Sequence, residues 1–208
     1  MQVTILGANG RVGQEVVRIC LERGHQVVAL AHSHDPFTPQ LGLIVLKGDI
    51  YKAGDIATAV QGSQAVISTL GSWGTKDKNV LESAMQQLIP VMQEQAIKRL
   101  VSLTGTGALY SGDMPKWYNK VDSLVLGLIA PKILSDGVAH LELLATSGLD
   151  WTCIRSPIIT NGTSSVYDIS LKLPIGMSRL SRPAVAVSLV DQLDSSEFLQ
   201  QAPFISKA

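Results

Sequence analysis

Three glycines, Gly7, Gly10 and Gly13, recur at every third position of GANGRVG, between the strand-like run QVTIL and the helix-like run RVGQEVVRICLERG. Glycine at the first position permits a tight turn. At the second it lets an anion approach the backbone, and at the third it lets the helix pack closely on the strand. The exposed N–H groups and the helix N-terminus then bring partial positive charge to bear on a pyrophosphate. This is the context of a dinucleotide cradle, at the start of a βαβ unit of about 30 residues. A purely structural tight turn is the alternative.

The end of the second strand bears on which dinucleotide is held. An NAD site carries an acid there for the ribose hydroxyls. Here AHSHD puts His32 and Ser33 at that point, with no carboxylate before Asp35. Arg11, inside the loop, can reach a 2′-phosphate, so NADP is favoured over NAD. Solvated loop histidines are the alternative for His32 and His34. At the end of the third strand, Asp49 of KGDI can accept from an adenine amino group while Ile50 packs on the ring; a turn or cap aspartate reads the same way. Trp73, after the fourth strand, and Trp117 and Tyr118, after the fifth, suit a flat ring substrate, or else anchor their loops.

The elements that must position these residues follow from apolar periodicity. QVTILG, HQVVALAH, LGLIVLKGDI, QAVISTLG, RLVSLTGTG and LDWTCIRSP read as six strands. Between them lie a helix with Val12, Val16, Ile19 and Cys20 on one face, ending at Gly24, and a short helix around Ile56 to Val60. A third spans Lys78 to Ala96, where Pro90 predicts a kink or break, and a fourth ends at Gly148. Alternating strands and helices with short joins imply right-handed crossovers and a parallel sheet covered on both faces. Beyond Pro157, SSVYDISLKLP reads as a late strand, RPAVAVSLVDQLDS as a helix with Pro183 in its first turn, and APFISK as a terminal strand. Residues 158–208 are too few for a second domain and are expected to cap the sheet and pocket of a single domain, 1–208.

Composition narrows the function class. Of 208 residues, 46% are apolar and 16% charged, which calls for a large buried core, and 17 basic residues balance 17 acidic ones. No net field draws nucleic acid or an anionic membrane. Cys20 and Cys153 lie in apolar runs and read as buried thiols of a reducing cytosol. No basic region precedes the first strand, so no signal peptide is expected. The longest apolar stretch, VDSLVLGLIAPKIL, holds Asp122, Pro131 and Lys132 and falls short of a membrane span. Its apolar face can serve the core, the pocket or a dimer contact. These features predict a cytoplasmic protein.

With the glycine loop, GDI, STLG, RLVSLTGTGA and SGLDWTCIRSP in this order, the chain resembles the atypical short-chain dehydrogenases. Its nearest likeness is to the small members related to NmrA-like regulators, biliverdin reductase B and NAD(P)H-flavin reductases. The resemblance implies a Rossmann-type α/β sheet of about seven strands, order 3-2-1-4-5-6-7, with cofactor and substrate over the C-terminal strand ends. On that mapping Gly7, Asn9, Gly10, Arg11 and Val12 cradle the pyrophosphate, and Asp49 and Ile50 hold adenine. Thr69, Leu70 and Gly71 pass beneath the ribose, and Pro157, Ile158 and Ile159 border the nicotinamide.

The family's Tyr-x-x-x-Lys pair, which trades a proton with a carbonyl or alcohol oxygen, is absent from the sequence: its two positions read Ile133 and Gly137. By the same mapping Thr104 stands near the upstream hydroxyl. Asp136 occupies a place where the subgroup often has aspartate, and His140 follows one helical turn later. A strand-end hydroxyl, a helix N-cap and a surface histidine are their structural alternatives. The resemblance thus implies an NADP-dependent oxidoreductase acting on a small aromatic or carbonyl substrate such as a flavin or quinone-like ring, which needs no tyrosine acid. It equally admits a silent dinucleotide sensor with a regulatory protein partner, or an epimerase or dehydratase.

Overall fold

The computed structural model describes residues 1–32, 35–73, 75–109, 113, 130–173 and 178–208. In chain order the elements are β1 (Gln2–Leu6), α1 (Arg11–Glu22), β2 (Gln26–Ala31), β3 (Leu43–Lys47), α2 (Ala53–Val60), β4 (Ala65–Ser68), α3 (Val80–Glu94) and β5 (Arg99–Gly105). They continue with α4 (Pro131–Thr146), β6 (Asp150–Ser156), β7 (Ile158–Thr160), β8 (Asp168–Ser170), β9 (Arg179–Ser181), α5 (Arg182–Asp191) and β10 (Phe204–Ser206).

Eight strands form one sheet in the order β3-β2-β1-β4-β5-β6-β10-β8. The first seven run parallel, as the alternating sequence predicts for Rossmann-type α/β architecture. The difference lies at the edge: β8 joins antiparallel to β10, pairing Ile205 with Ile169. A separate two-stranded ribbon pairs β7 with β9 in parallel, and neither of those strands is legible in the sequence pattern, each being only three residues long.

The sheet divides the core in two. Val3 and Ile5 of β1 face one cluster with Val16, Val17 and Cys20 of α1 and Val185 and Leu189 of α5. Leu6 turns to the other, with Ile56 of α2, Met85 and Leu88 of α3, and Leu141 and Leu144 of α4. This is the two-residue period of a strand buried on both faces. Thr4, on the second face, is fully buried and satisfies its hydroxyl on Ala59 O (2.7 Å) and Ser63 Oγ (2.8 Å).

The glycine stops act as expected: Gly24 and Gly148 take φ of +78° and +68° just past α1 and α4. Pro90 departs from expectation, since α3 runs through it from Val80 to Glu94. Pro90 and Gln86, whose carbonyl loses its helical partner, are both exposed, so water can take the place of the missing N–H.

Candidate functional site

Every parallel strand from β1 to β6 ends on the same side, so the loops after them converge there, and the order reverses between β1 and β4. That crevice is where open α/β sheets bind ligands. Gly7 leaves β1 with φ +75°, and its carbonyl accepts the Gly10 N–H at 2.9 Å. A Cβ on Gly13 would lie 2.2 Å from Gly7 O and 2.7 Å from Ala8 Cα, so the first turn of α1 can sit this close only with glycine. A Cβ on Gly10 would meet only Gly7 O, at 3.1 Å, and its other side is open.

No side chain caps α1, and no acid stands in its first turn. Among the described residues the first N–H groups of the helix therefore have no partner of their own. Exposed Gly10 and Arg11 and half-buried Asn9 and Val12 surround them. Cradle and helix end together fit a pyrophosphate.

From β4, the Thr69 hydroxyl donates to Leu6 O (3.0 Å) and Gly7 O (3.1 Å) and ties the two strand ends at the crevice. Leu70 packs into the core, and Gly71 is exposed with open space around it. Asp49 takes the turn role as well: one carboxylate oxygen accepts Tyr51 N–H (3.0 Å), while its own N–H donates to Asp55 (2.8 Å). Ile50 beside it is half-buried. His32 is exposed at the end of β2. Ser33, Trp117 and Tyr118 lie outside the described residues. Trp73 is 69% exposed. Pro157 is buried, Ile159 half-buried and Ile158 50% exposed, where the chain turns from β6 into β7.

The three residues singled out for chemistry are buried. Asp136, 2% exposed in the second turn of α4, accepts the N–H groups of Leu81 (3.1 Å) and Glu82 (2.9 Å) and the Ser72 hydroxyl. It caps the N-terminus of α3 and not that of its own helix, which begins five residues earlier at Pro131. His140 has no surface exposure, and neither ring nitrogen has a hydrogen-bond partner among the described residues. Burial pulls its pKa down to about 4, so the ring is neutral at pH 7 and shielded from any substrate. Thr104 is 7% exposed beneath α4: a Cβ on Gly137 would fall 2.8 Å from Thr104 Oγ1 and 2.9 Å from Ala108 Cβ. Gly137, which the resemblance sets at the lysine position, is thus a close-packing residue. Ile133, which it sets at the tyrosine position, is half-buried.

Burial pushes the Cys153 thiol up to about 12, so it is no nucleophile. Among the described residues no group of three or more His, Cys, Asp or Glu can hold a metal ion, and no helix is long and apolar enough to cross a membrane.

One prominent feature has no signature in the sequence. Arg155, 1% exposed near the end of β6, holds Asp113 in a two-pronged ion pair at 2.5 and 2.7 Å. It also donates to Ala108 O (3.1 Å) and Ala202 O (2.8 Å) and stacks 3.7 Å over the Phe204 ring. It therefore fastens the chain after β5 to the sheet beside the site. The only sequence signal is an arginine inside the apolar run WTCIRSP, which says that a partner must exist but not which one.

A family model described as NAD(P)H-binding matches residues 7–196. Among curated proteins, 2-alkyl-3-oxoalkanoate reductase of Stenotrophomonas maltophilia is 28% identical over 156 residues, 71% of this chain and 47% of that protein. The chain thus spans less than half the length of that relative. Among solved structures, a Streptococcus pneumoniae protein described as a candidate NADH-flavin reductase superposes with a TM-score of 0.76 at 20% identity, covering 100% of both chains. A short-chain dehydrogenase/reductase (wide type) from Veillonella parvula, in complex with NADP, gives 0.78 at 18% identity over 99% of this chain and 94% of that one. At these identities the likeness to both structures is one of fold.

Proposed function

The chain belongs to the NAD(P)H-binding family, whose members are of oxidoreductase type, and on that premise we propose that it uses NADPH to reduce a flat ring acceptor of the flavin or quinone kind. The observation that carries this reading is Gly137. Its contact with Thr104 and Ala108 leaves no room for a lysine, and Ile133 has no proton to give, so among the described residues neither position that the sequence resemblance assigns to the family's pair supplies an acid or a base. An aldehyde or ketone needs such a donor as its oxygen becomes an alkoxide. A flavin or quinone ring does not, because it takes up its proton from water. Bound NADPH would supply a hydride.

The chain's own residues then bind and orient. The N–H groups of Arg11 to Gly13 receive the pyrophosphate, and Thr69 holds the loop that shapes the crevice. Arg11, exposed at the first residue of α1 and free of any ion pair among the described residues, is the cation available to a 2′-phosphate, with His32 nearby at the end of β2. Ile158, Ile159 and Trp73 offer apolar surface to a ring. The likeness to a candidate flavin reductase supports the acceptor class, and that to an NADP complex supports the cofactor.

Ile133 and Gly137 at those two positions also motivate a second reading, a dinucleotide sensor that acts through a protein partner. One experiment separates them: NADPH oxidation by the purified protein, followed at 340 nm, against riboflavin, simple quinones and simple carbonyls. Turnover of flavins or quinones with carbonyls inert is the expected result. Tight NADPH binding with no turnover above buffer on any acceptor rejects the reductase. In the same preparation, Arg11→Ala is expected to weaken NADPH binding by about tenfold, the worth of one charge-assisted phosphate contact, while NADH binding stays the same.

A further inference from the structure

We infer that Asn161 and Gly162 form a site of covalent self-modification. The Gly162 backbone nitrogen closes on the Asn161 side-chain amide, ammonia leaves, and Arg182 stabilises the oxyanion formed on the way. The inference goes beyond the cofactor reading and does not depend on it.

The chain contains two Asn-Gly pairs, Asn9-Gly10 and Asn161-Gly162, and the fold treats them differently. A glycine after asparagine leaves its backbone nitrogen unshielded by a Cβ, so a cyclic imide can close there. At Asn9 that nitrogen is engaged, because the Gly10 N–H donates to Gly7 O at 2.9 Å inside the turn that leaves β1. Asn9 is itself half-buried, and its backbone carbonyl accepts from Gln14 Nε2 at 2.9 Å. Asn161 and Gly162 are both exposed, and among the described residues the Gly162 N–H has no hydrogen-bond partner.

The Asn161 side chain is also polarised. The β7–β9 ribbon pairs Thr160 with Ser181, so the residues that follow them, Asn161 and Arg182, stand opposite each other. Arg182 Nη2 donates to Asn161 Oδ1 at 2.7 Å. The Thr160 hydroxyl donates to Leu180 O at 3.2 Å and the Ser181 hydroxyl to Ser164 O, which fastens the turn on either side. Among the described residues Arg182 makes no ion pair, and its Nε is buried without a hydrogen-bond partner. An uncompensated guanidinium on the amide oxygen draws electrons from Cγ and stabilises the oxyanion that attack creates.

Hydroxide takes the Gly162 amide proton, and the nitrogen attacks Asn161 Cγ. The tetrahedral centre collapses as Nδ2, protonated by water, departs as ammonia, and a cyclic imide joins the two residues. Water then opens either imide carbonyl, giving aspartate or its β-linked isomer. The aspartate form sets a carboxylate opposite Arg182 in place of a neutral acceptor. The isomer adds a methylene to the backbone where the chain leaves β7.

The test incubates the full chain at mildly alkaline pH, folded and in urea, and follows tryptic peptides 1–11 and 156–172 by mass spectrometry. In the folded chain peptide 156–172 should gain one mass unit and split into two chromatographic forms, about tenfold faster than peptide 1–11 gains its own. In urea the two peptides should convert at rates within about threefold of each other. Arg182→Gln, at a half-buried position, should slow conversion of the folded chain about tenfold, the worth of one charge-assisted hydrogen bond, and leave the rate in urea unchanged. Gly162→Ala, whose Cβ would meet Ser181 Cβ at 3.2 Å, should suppress conversion in both states. Equal rates at the two pairs in the folded chain, or conversion undiminished in Gly162→Ala, overturn the site. A folded Arg182→Gln chain that converts as fast as the natural one, or faster, overturns the role of the guanidinium.

Discussion

Replacing Gly10 and Gly13 separates the two jobs of the glycine loop, because the structure gives the two residues different surroundings. In Gly13→Ala the new Cβ would stand 2.2 Å from Gly7 O and 2.7 and 2.9 Å from Ala8 backbone atoms. The first figure is more than an ångström short of ordinary contact, and no flexible side chain is there to yield. Overpacking of this kind costs about 1–3 kcal/mol. Alanine is otherwise the better helix former by up to about 1 kcal/mol, so the observed loss understates the clash. For a chain of this size each kcal/mol moves the melting point by roughly 2–4 °C, so the ligand-free variant should melt roughly 2–12 °C lower.

Gly10→Val should behave in the opposite way. Its Cβ meets only Gly7 O, at 3.1 Å, and the remaining space is open, so the fold loses about 1 kcal/mol, chiefly because valine is a poor N-cap. The methyl groups, however, occupy the side from which a phosphate must approach. Loss of one charge-assisted N–H···O contact is worth about 1.5–3 kcal/mol, or roughly 10- to 150-fold in affinity. Circular-dichroism melting of the ligand-free proteins and NADPH fluorescence titration measure the two effects independently. NADPH binding by Gly10→Val within about threefold of the natural chain would refute the cradle. An unchanged melting point for Gly13→Ala would refute the packing argument.

Two further outcomes concern buried charge. Arg155→Met removes a buried, two-pronged pair and the stack on Phe204 and should cost about 3–5 kcal/mol in urea unfolding; a loss below about 1 kcal/mol would mean that these contacts contribute little. His140 titrates near 6.5 when unfolded but is held down to about 4 by burial, so the unfolded chain binds the extra proton first. Stability from this source is full above about pH 6.5 and is lost as the pH falls toward 4, by roughly 3 kcal/mol in all. His140→Leu should remove that part of the pH dependence, and an unfolding profile with the same slope between pH 4 and 6.5 would show that the burial argument is wrong.

The strands β1 to β6, the helices between them and the glycine cradle are legible in the sequence, because each depends on residues that are neighbours along the chain, whereas the order of the strands in the sheet came only from the family resemblance. A strand declares itself by β-branched runs and a helix by its apolar stripe, and GANGRVG supplies turn, approach and packing within seven residues. Pro90 misleads for a local reason too: the rule that proline breaks a helix assumes a freed carbonyl with no other partner, and here the carbonyl lies on a wetted face. The short β7 and β9 offer too few residues to show a period at all, whereas β8 falls within the late strand read from SSVYDISLKLP.

The residues proposed for chemistry fare differently. Asp136 and His140 share a helical spacing that suggests a catalytic pair, yet the side chains serve separate structural ends. Asp136 crosses to cap α3, more than fifty residues away in sequence, and His140 enters the interior. Nothing in their own segment specifies which helix packs against them. Gly137 and Thr104 become meaningful only when α4 is seen pressed onto the end of β5, and Arg155 only when Asp113 and Phe204 arrive from distant parts of the chain. The sequence by itself determined the α/β fold and the dinucleotide cradle, because backbone conformation and short-range hydrophobic pattern are local properties. Tertiary structure alone decided which polar groups are spent on capping and buried pairing, because those assignments depend on contacts between segments that only packing brings together.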